Sequence, residues 1–164
     1  MNKNNFKKAY FASGCFWGTE YWLRKKKGTV KTSVGYCGGN TDNPTYKQVC
    51  TGQTNHAETV EVEYDTNLVT YEDLLKIFFE THDPSQINRQ GPDIGTQYRS
   101  AIFYQTKEEK IKATQIIQIL KDKGVEVVTE LTSFKQFWPA ENYHQNYYFK
   151  KGLIPTCHIY KKKF

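Results

Sequence analysis

The sequence has no apolar run of the roughly 20 residues needed to cross a bilayer, which excludes a membrane-spanning helix. No apolar stretch follows the charged start Met1-Asn2-Lys3-Asn4-Asn5-Phe6-Lys7-Lys8. No secretory leader is therefore expected, and the cytoplasm is the expected compartment. No Cys-x-x-Cys occurs, and no internal repeat or low-complexity segment interrupts the chain. The net charge of +6, from 23 basic and 17 acidic residues, is spread out. Only Lys25, Lys26 and Lys27 and the terminal Lys161, Lys162 and Lys163 form runs, and these read as solvated ends. Aromatics at 15% together with basic charge would suit a platform for single-stranded nucleic acid. No recognition-module signature accompanies them, so neither a nucleic-acid nor a membrane partner is expected. A chain of 164 residues is long enough for one domain with a real core. The expected division is a single catalytic domain, 1–164, with a core over about 7–131 and a tail over about 132–164, acting as a monomer.

Four cysteines are present: Cys15, Cys37, Cys50 and Cys157. Their spacing is too wide and irregular for a disulfide scaffold, so free thiols are expected, one or two of them reactive. Ser13-Gly14-Cys15-Phe16-Trp17-Gly18 joins an apolar strand to a helical pattern. With Ser13 or Gly14 as N-cap, Cys15 falls in the first helical turn. There the unpaired N–H groups and the positive end of the macrodipole would lower a thiol pKa. A small buried cysteine at a strand–helix junction is the plainer reading. The flanking glycine and two large aromatics favour a reactive thiol in an apolar pocket. Two other chemistries fit the residue types. One is a cysteine hydrolase pairing Cys15 with His56, His82 or His144. The other is a zinc or nucleic-acid module built on Cys50, His56, Cys157 and His158, which lack paired finger spacing.

Strands are predicted over 8–12, 29–36, 58–65, 98–104 and 125–131, and helices over 15–27, 70–82 and 106–124. Val30, Val34 and Tyr36 share one side of the second strand. Residues 46–52 form either one helical turn or an ordered loop. In the third strand Val60, Val62 and Tyr64 alternate with Glu61 and Glu63, and Glu58 has the parity of the apolar set. If the strand extends to Glu58, its carboxyl is buried, stays protonated near neutrality and is a general-acid candidate. If the strand starts at Thr59, Glu58 is a solvated edge residue. Thr106-Lys107-Glu108-Glu109 reads as a capping box. The polar segment 85–97 is long for a structureless loop, which points to a functional role. Beyond Ser133 the chain is aromatic and irregular, a wrap over the body. Strand–helix–strand, twice, predicts an α+β fold: a ferredoxin-like plait with a mixed, largely antiparallel sheet and helices on one face.

Several motifs recur in one order: Gly14-Cys15-Phe16-Trp17, Gly35-Tyr36-Cys37-Gly38-Gly39, Asn43-Pro44-Thr45-Tyr46, His56-Ala57-Glu58, His82-Asp83-Pro84, Gly95-Thr96-Gln97-Tyr98-Arg99-Ser100 and Glu141-Asn142-Tyr143-His144-Gln145. Over about residues 8–149 the chain resembles the type A peptide methionine sulfoxide reductases. That resemblance implies a cofactor-free thiol enzyme that repairs oxidative damage by reducing the S epimer of methionine sulfoxide, free or in protein. It implies that Cys15 attacks the sulfoxide sulfur while Glu58 protonates the oxygen. Tyr46 and Tyr98 would hydrogen-bond that oxygen, Asp93 would act near the thiol through water, and Phe16 and Trp17 would hold the substrate methyl group. The resulting sulfenic acid would be resolved as a Cys15–Cys157 disulfide, then reduced by thioredoxin. Cys37 is the competing resolving thiol and Cys50 is taken as incidental. His158 either lowers the pKa of Cys157 or is simply exposed. In place of the family's Gly-Tyr-Cys tail the chain has Leu153-Ile154-Pro155-Thr156-Cys157-His158.

Overall fold

The computed structural model describes residues 5–164. Residues 1–4, on which half of the leader-peptide reading falls, lie outside the described residues. The elements are β1 (Phe6–Ser13), α1 (Phe16–Lys25), β2 (Thr29–Cys37), α2 (Tyr46–Cys50), β3 (Ala57–Asp65) and α3 (Tyr71–Glu80). A small hairpin follows, β4 (Arg89–Gln90) and β5 (Asp93–Ile94), then β6 (Ser100–Tyr104), α4 (Lys107–Asp122), β7 (Glu130–Ser133), β8 (Phe137–Pro139) and α5 (Tyr147–Lys151). Single 3-10 turns cover Thr96–Tyr98 and Asn142–His144.

The main sheet has the order β7-β6-β1-β3-β2-β8. Its neighbours are antiparallel except β6 and β7, which run parallel. The expected α+β class and mixed sheet are therefore found. Alternation along β1 explains its central place, since Ala9 and Phe11 face one side and Tyr10 and Ala12 the other, all buried. On the helix side Phe11, Val34, Tyr36, Val60 and Val62 meet Phe16, Leu23, Leu74, Leu75 and Phe78. On the far side Tyr10, Cys37, Phe103 and Phe137 form a second cluster, with Phe134 stacked on Tyr10 at 4.0 Å. α3 starts with a reciprocal cap. The Thr70 hydroxyl accepts from Asp73 N at 3.0 Å, and the Asp73 carboxylate accepts from Thr70 N at 3.0 Å.

The structure corrects five expectations. Val30 is exposed, because a bulge between Thr29 and Lys31 takes it out of the alternation. At α4 only half of the expected box forms: Thr106 accepts from Glu109 N, but the Glu109 carboxylate turns to Gln105 N. Residues 125–129 are not a strand. Val128 N donates to Pro84 O, and sheet pairing starts only at Glu130, opposite Ala101. Residues 98–99 likewise precede β6, with Tyr98 in a 3-10 turn. Finally, the tail is not irregular throughout and its lysines are not all solvated. β8 extends the sheet beside β2. Lys163 Nζ donates to the carbonyls of Phe79 and His82 and so caps the C-terminal end of α3. The Lys163 amide and the Tyr160 hydroxyl both donate to the Glu80 carboxylate.

Candidate active site

β1 ends at Ser13 and α1 begins at Phe16, so the chain must turn sharply between them. Gly14 makes that turn at φ +92°, where a side chain is strained, and a Cβ there would lie 2.6 Å from Gln90 Cβ. Cys15 is itself the N-cap, where Ser13 or Gly14 was expected, and among the described residues its side chain makes no capping hydrogen bond. The backbone amide of Trp17 still acts on the Cys15 thiol in the lowering direction, the one the sequence led us to expect. Burial outweighs it. Desolvation, followed by the charge of Glu58, pushes the thiol well above its ordinary value. The anticipated lowering is reversed, because the residues that bury Cys15 come from remote parts of the chain.

β3 begins at Ala57, so Glu58 lies within the strand, opposite Tyr36. Its side chain is 2% exposed. Glu58 Oε1 accepts from the Phe16 amide at 3.2 Å, one of the free N–H groups at the head of α1. Oε2 is buried without a hydrogen-bond partner among the described residues. Desolvation, with a smaller push from Asp93, raises the carboxyl to about 8. A carboxyl at that value is a neutral acid at pH 7.

Tyr46 opens α2, so residues 46–50 are the helical turn and not a loop. The Glu141 carboxylate holds it, accepting from Tyr46 N and from the Tyr36 hydroxyl, both at 3.1 Å. The hydroxyls of Tyr46 and Tyr98 lie within hydrogen-bonding reach of each other. Burial, with Glu58 nearby, raises both, so they remain neutral donors. Asp93 sits on the β4–β5 hairpin, opposite the Gln90 that abuts Gly14. Its charge bears on Cys15, Glu58, Tyr98 and Cys157, and burial raises its own carboxyl.

Phe16 is fully buried against Tyr36 and His144. Trp17 is half-buried and stacks on Tyr147 with ring centroids 3.7 Å apart. Its indole N–H donates to His144 Nδ1 at 3.0 Å. That bond fixes the tautomer of a ring only 1% exposed, whose Nε2 is buried without a partner among the described residues. Glu141, His144 and Gln145 stand in one motif, in which the sequence offers only His144 a role, as a hydrolase partner of Cys15; its Nδ1 is taken by the Trp17 indole instead. Gln145 clamps β2 by exchanging hydrogen bonds with both the N–H and C=O of Val34. Their partners lie about a hundred positions away, where no local pattern points.

The thiols divide by face. Cys157 lies near Cys15, raising it electrostatically, and the Tyr148 hydroxyl hydrogen-bonds its sulfur. Cys37 is buried on the far face of the sheet, away from Glu58, with Ala57 and Phe137. Cys50, set aside from the sequence, comes to the site: the Tyr46 hydroxyl hydrogen-bonds it and it acts on Tyr98. His56 is bound at both ring nitrogens by Gly39 N and Thr41 O, and His82 by Phe78 O and the Ser100 hydroxyl. Neither is free to serve a cysteine hydrolase. No three His, Cys, Asp or Glu side chains gather to hold a metal ion among the described residues. His158 is buried, not exposed.

Comparison with known proteins gives one answer. A family model described as peptide methionine sulfoxide reductase matches residues 7–164. A peptide methionine sulfoxide reductase MsrA of Nautilia profundicola is 53% identical over 150 residues, covering 92% of this chain and 87% of its own length. The reduced form of Mxr1 from Saccharomyces cerevisiae superimposes with a TM-score of 0.91 at 36% identity, covering 98% of this chain and 95% of that one. Mxr1 in complex with Trx2 aligns with a TM-score of 0.67 at 24% identity, covering 98% and 94%.

Proposed function

This chain belongs to the MsrA family of peptide methionine sulfoxide reductases, and from that premise we propose how its residues divide the reaction between them. The activity is that of a peptide-methionine (S)-S-oxide reductase. The observation that carries the division of roles is the Glu58 carboxyl: neutral at pH 7, buried beside the Cys15 helix head, with Oε2 left over. Glu58 gives its proton to the sulfoxide oxygen, which turns the sulfur electrophilic and the oxygen into a leaving group. The Cys15 sulfur attacks the sulfoxide sulfur, and an S–S bond forms as the S–O bond breaks; the departing hydroxide then adds to the Cys15 sulfur as that S–S bond breaks and methionine leaves. The thiol proton returns to the Glu58 carboxylate, so the thiol need not be ionised beforehand. A methionine sulfoxide and a Cys15 thiol become methionine and a Cys15 sulfenic acid, with every proton accounted for.

Tyr46 and Tyr98 donate to the oxygen as charge develops on it. The half-buried face of Trp17, backed by Phe16, holds the substrate methyl group, so that the S epimer presents its oxygen to Glu58. Asp93 works through water at the rim. Cys157 then condenses with the sulfenic acid, and thioredoxin reduces the disulfide; no bound cofactor takes part. Support for the external reductant comes from the yeast relative, which has been crystallised with Trx2. We read the strands β6-β1-β3-β2 as a ferredoxin-like plait with an added strand at each edge. The whole chain works as one catalytic domain, a cytoplasmic monomer acting on oxidised proteins, peptides and free methionine-S-sulfoxide. No helix among the described residues is long and apolar enough to cross a membrane.

The test is a single turnover of the reduced protein with a methionine-S-sulfoxide peptide, counting free thiols. One methionine released per two thiols lost is the expected result. Cys15→Ser releases no methionine. Release of methionine by Cys15→Ser overturns the scheme.

A further inference from the structure

The step after methionine release needs Cys157 to attack as a thiolate, yet burial and the Asp93 charge both raise that thiol. The residue next to it resolves the difficulty. His158 is 0% exposed, seated under the first turns of α1. A Cβ on Gly18 would fall 2.3 Å from its Nδ1, and one on Gly14 would fall 3.5 Å from its Cε1. The two glycines leave a slot that the imidazole fills. The backbone is pinned as well, since the Trp22 indole N–H donates to the His158 carbonyl at 2.7 Å. Within the slot Nε2 lies 2.5 Å from the Ser13 carbonyl oxygen, which only accepts. Nε2 therefore carries the proton, and Nδ1 carries the lone pair. Nδ1 lies 3.5 Å from Cys157 Sγ.

We propose that His158 is the general base of the second half-reaction, taking the Cys157 thiol proton through Nδ1 while the Ser13 carbonyl holds the ring in the required tautomer. Nucleophile, base and orienting group stand in the relation that activates sulfur and oxygen nucleophiles generally. The Cys157 sulfur attacks the Cys15 sulfenic sulfur. The Cys15 S–O bond breaks as the S–S bond forms, so the Cys157 sulfur is oxidised and the Cys15 sulfur reduced. The proton on Nδ1 passes to the departing hydroxide to give water, and the imidazole returns to neutral. The Tyr148 hydroxyl, hydrogen-bonded to the Cys157 sulfur, steadies the charge that develops there. Burial favours the neutral imidazole a base requires and outweighs the Ser13 carbonyl, whose hydrogen bond favours the protonated ring; the nearby His82, itself held neutral by burial, adds no positive charge. The proposal rests on Cys157 being the resolving thiol.

The experiment follows the full chain through one turnover with a methionine-S-sulfoxide peptide. Methionine, disulfide and the dione-trapped sulfenic acid are quantified separately in quenched samples. His158→Gln keeps a donor for the Ser13 carbonyl but has no nitrogen lone pair. The expected result is a ratio of disulfide formation to methionine release that falls by about a hundredfold, with sulfenic acid accumulating. A ratio within about threefold of the parent overturns the proposal. If His158→Gln fails to fold, the parent protein decides. With His158 as base, its disulfide rate is flat from pH 7 to 9, whereas an unassisted thiol gives about a tenfold rise per unit below its pKa, and that rise overturns the proposal. Cys157→Ser separates the two readings. Two thiols still lost per methionine would remove Cys157 and, with it, His158. One thiol lost, beside an unaffected His158→Gln, removes only His158.

Discussion

Replacing Glu58 with glutamine should make this enzyme both less active and, at alkaline pH, more stable. The folded protein raises the carboxyl from 4.5 to about 8. The unfolded chain releases the proton near the lower value, the folded chain near the higher. Between them the native state binds more protons than the unfolded state, so stability falls as pH rises through this window. The stabilising contribution of the neutral form is complete below 4.5 and is lost as pH passes about 8. At ~1.4 kcal/mol per unit this amounts to a loss on the order of 5 kcal/mol. That is a large share of the 5–15 kcal/mol typical of a domain. Glutamine has the same shape, keeps an oxygen for the Phe16 amide and does not ionise, so the variant escapes the loss. Urea denaturation of both proteins at pH 5, 7 and 9 measures it, and other titrating groups cancel in the difference. The gain of Glu58→Gln over the parent should grow with pH. A difference constant to about 0.5 kcal/mol from pH 5 to 9 would falsify the claim that this carboxyl is desolvated. The same variant should release methionine about 10²–10⁴-fold more slowly, as expected when a positioned acid is lost.

In the proposed scheme Tyr98→Phe removes one donor to the developing oxygen charge, and it should slow methionine release about a hundredfold in single turnover, with the melting transition little changed. Cys37→Ala should leave the loss of two thiols per methionine intact, because Cys37 packs on the far face of the sheet; a fall to one thiol would make it the resolving residue. His144→Ala strands the Trp17 indole N–H and opens a cavity among Phe16, Trp17 and Tyr46. It should cost about 3 kcal/mol in urea denaturation and raise KM for the sulfoxide, since the aromatic wall loses its backing.

What could be read from the sequence was whatever depends on neighbours in the chain. The alternation of Val60, Val62 and Tyr64 marked β3, and the Thr106 cap marked the start of α4. The glycine turn before Cys15 marked the strand–helix junction. Glu58 stayed open because its fate depends on how far β3 pairs, and Tyr36 on another strand decides that. Val30 was misplaced because a bulge leaves no trace in a hydrophobic pattern. The thiol of Cys15 was predicted in the wrong direction for a related reason. The helix-end effect is local and legible, whereas burial comes from remote segments and is not. His144, Glu141 and His158 act through partners about a hundred or more positions away, and a single sequence carries no mark of such contacts.

Burial of this site then has one consequence for both steps of the proposed reaction. A desolvated pocket keeps Glu58 protonated, which the reduction needs, but it also keeps Cys15 and Cys157 protonated, which nucleophilic attack resists. Each thiol therefore needs a proton acceptor within its own reach. For Cys15 that acceptor is Glu58, made basic at the moment it gives its proton to the sulfoxide. For Cys157, arriving after the oxygen has left the substrate, Glu58 has been reprotonated by Cys15. The second thiol must bring its own base, and the tail delivers one in the next residue, already locked in the right tautomer against the strand that leads to Cys15.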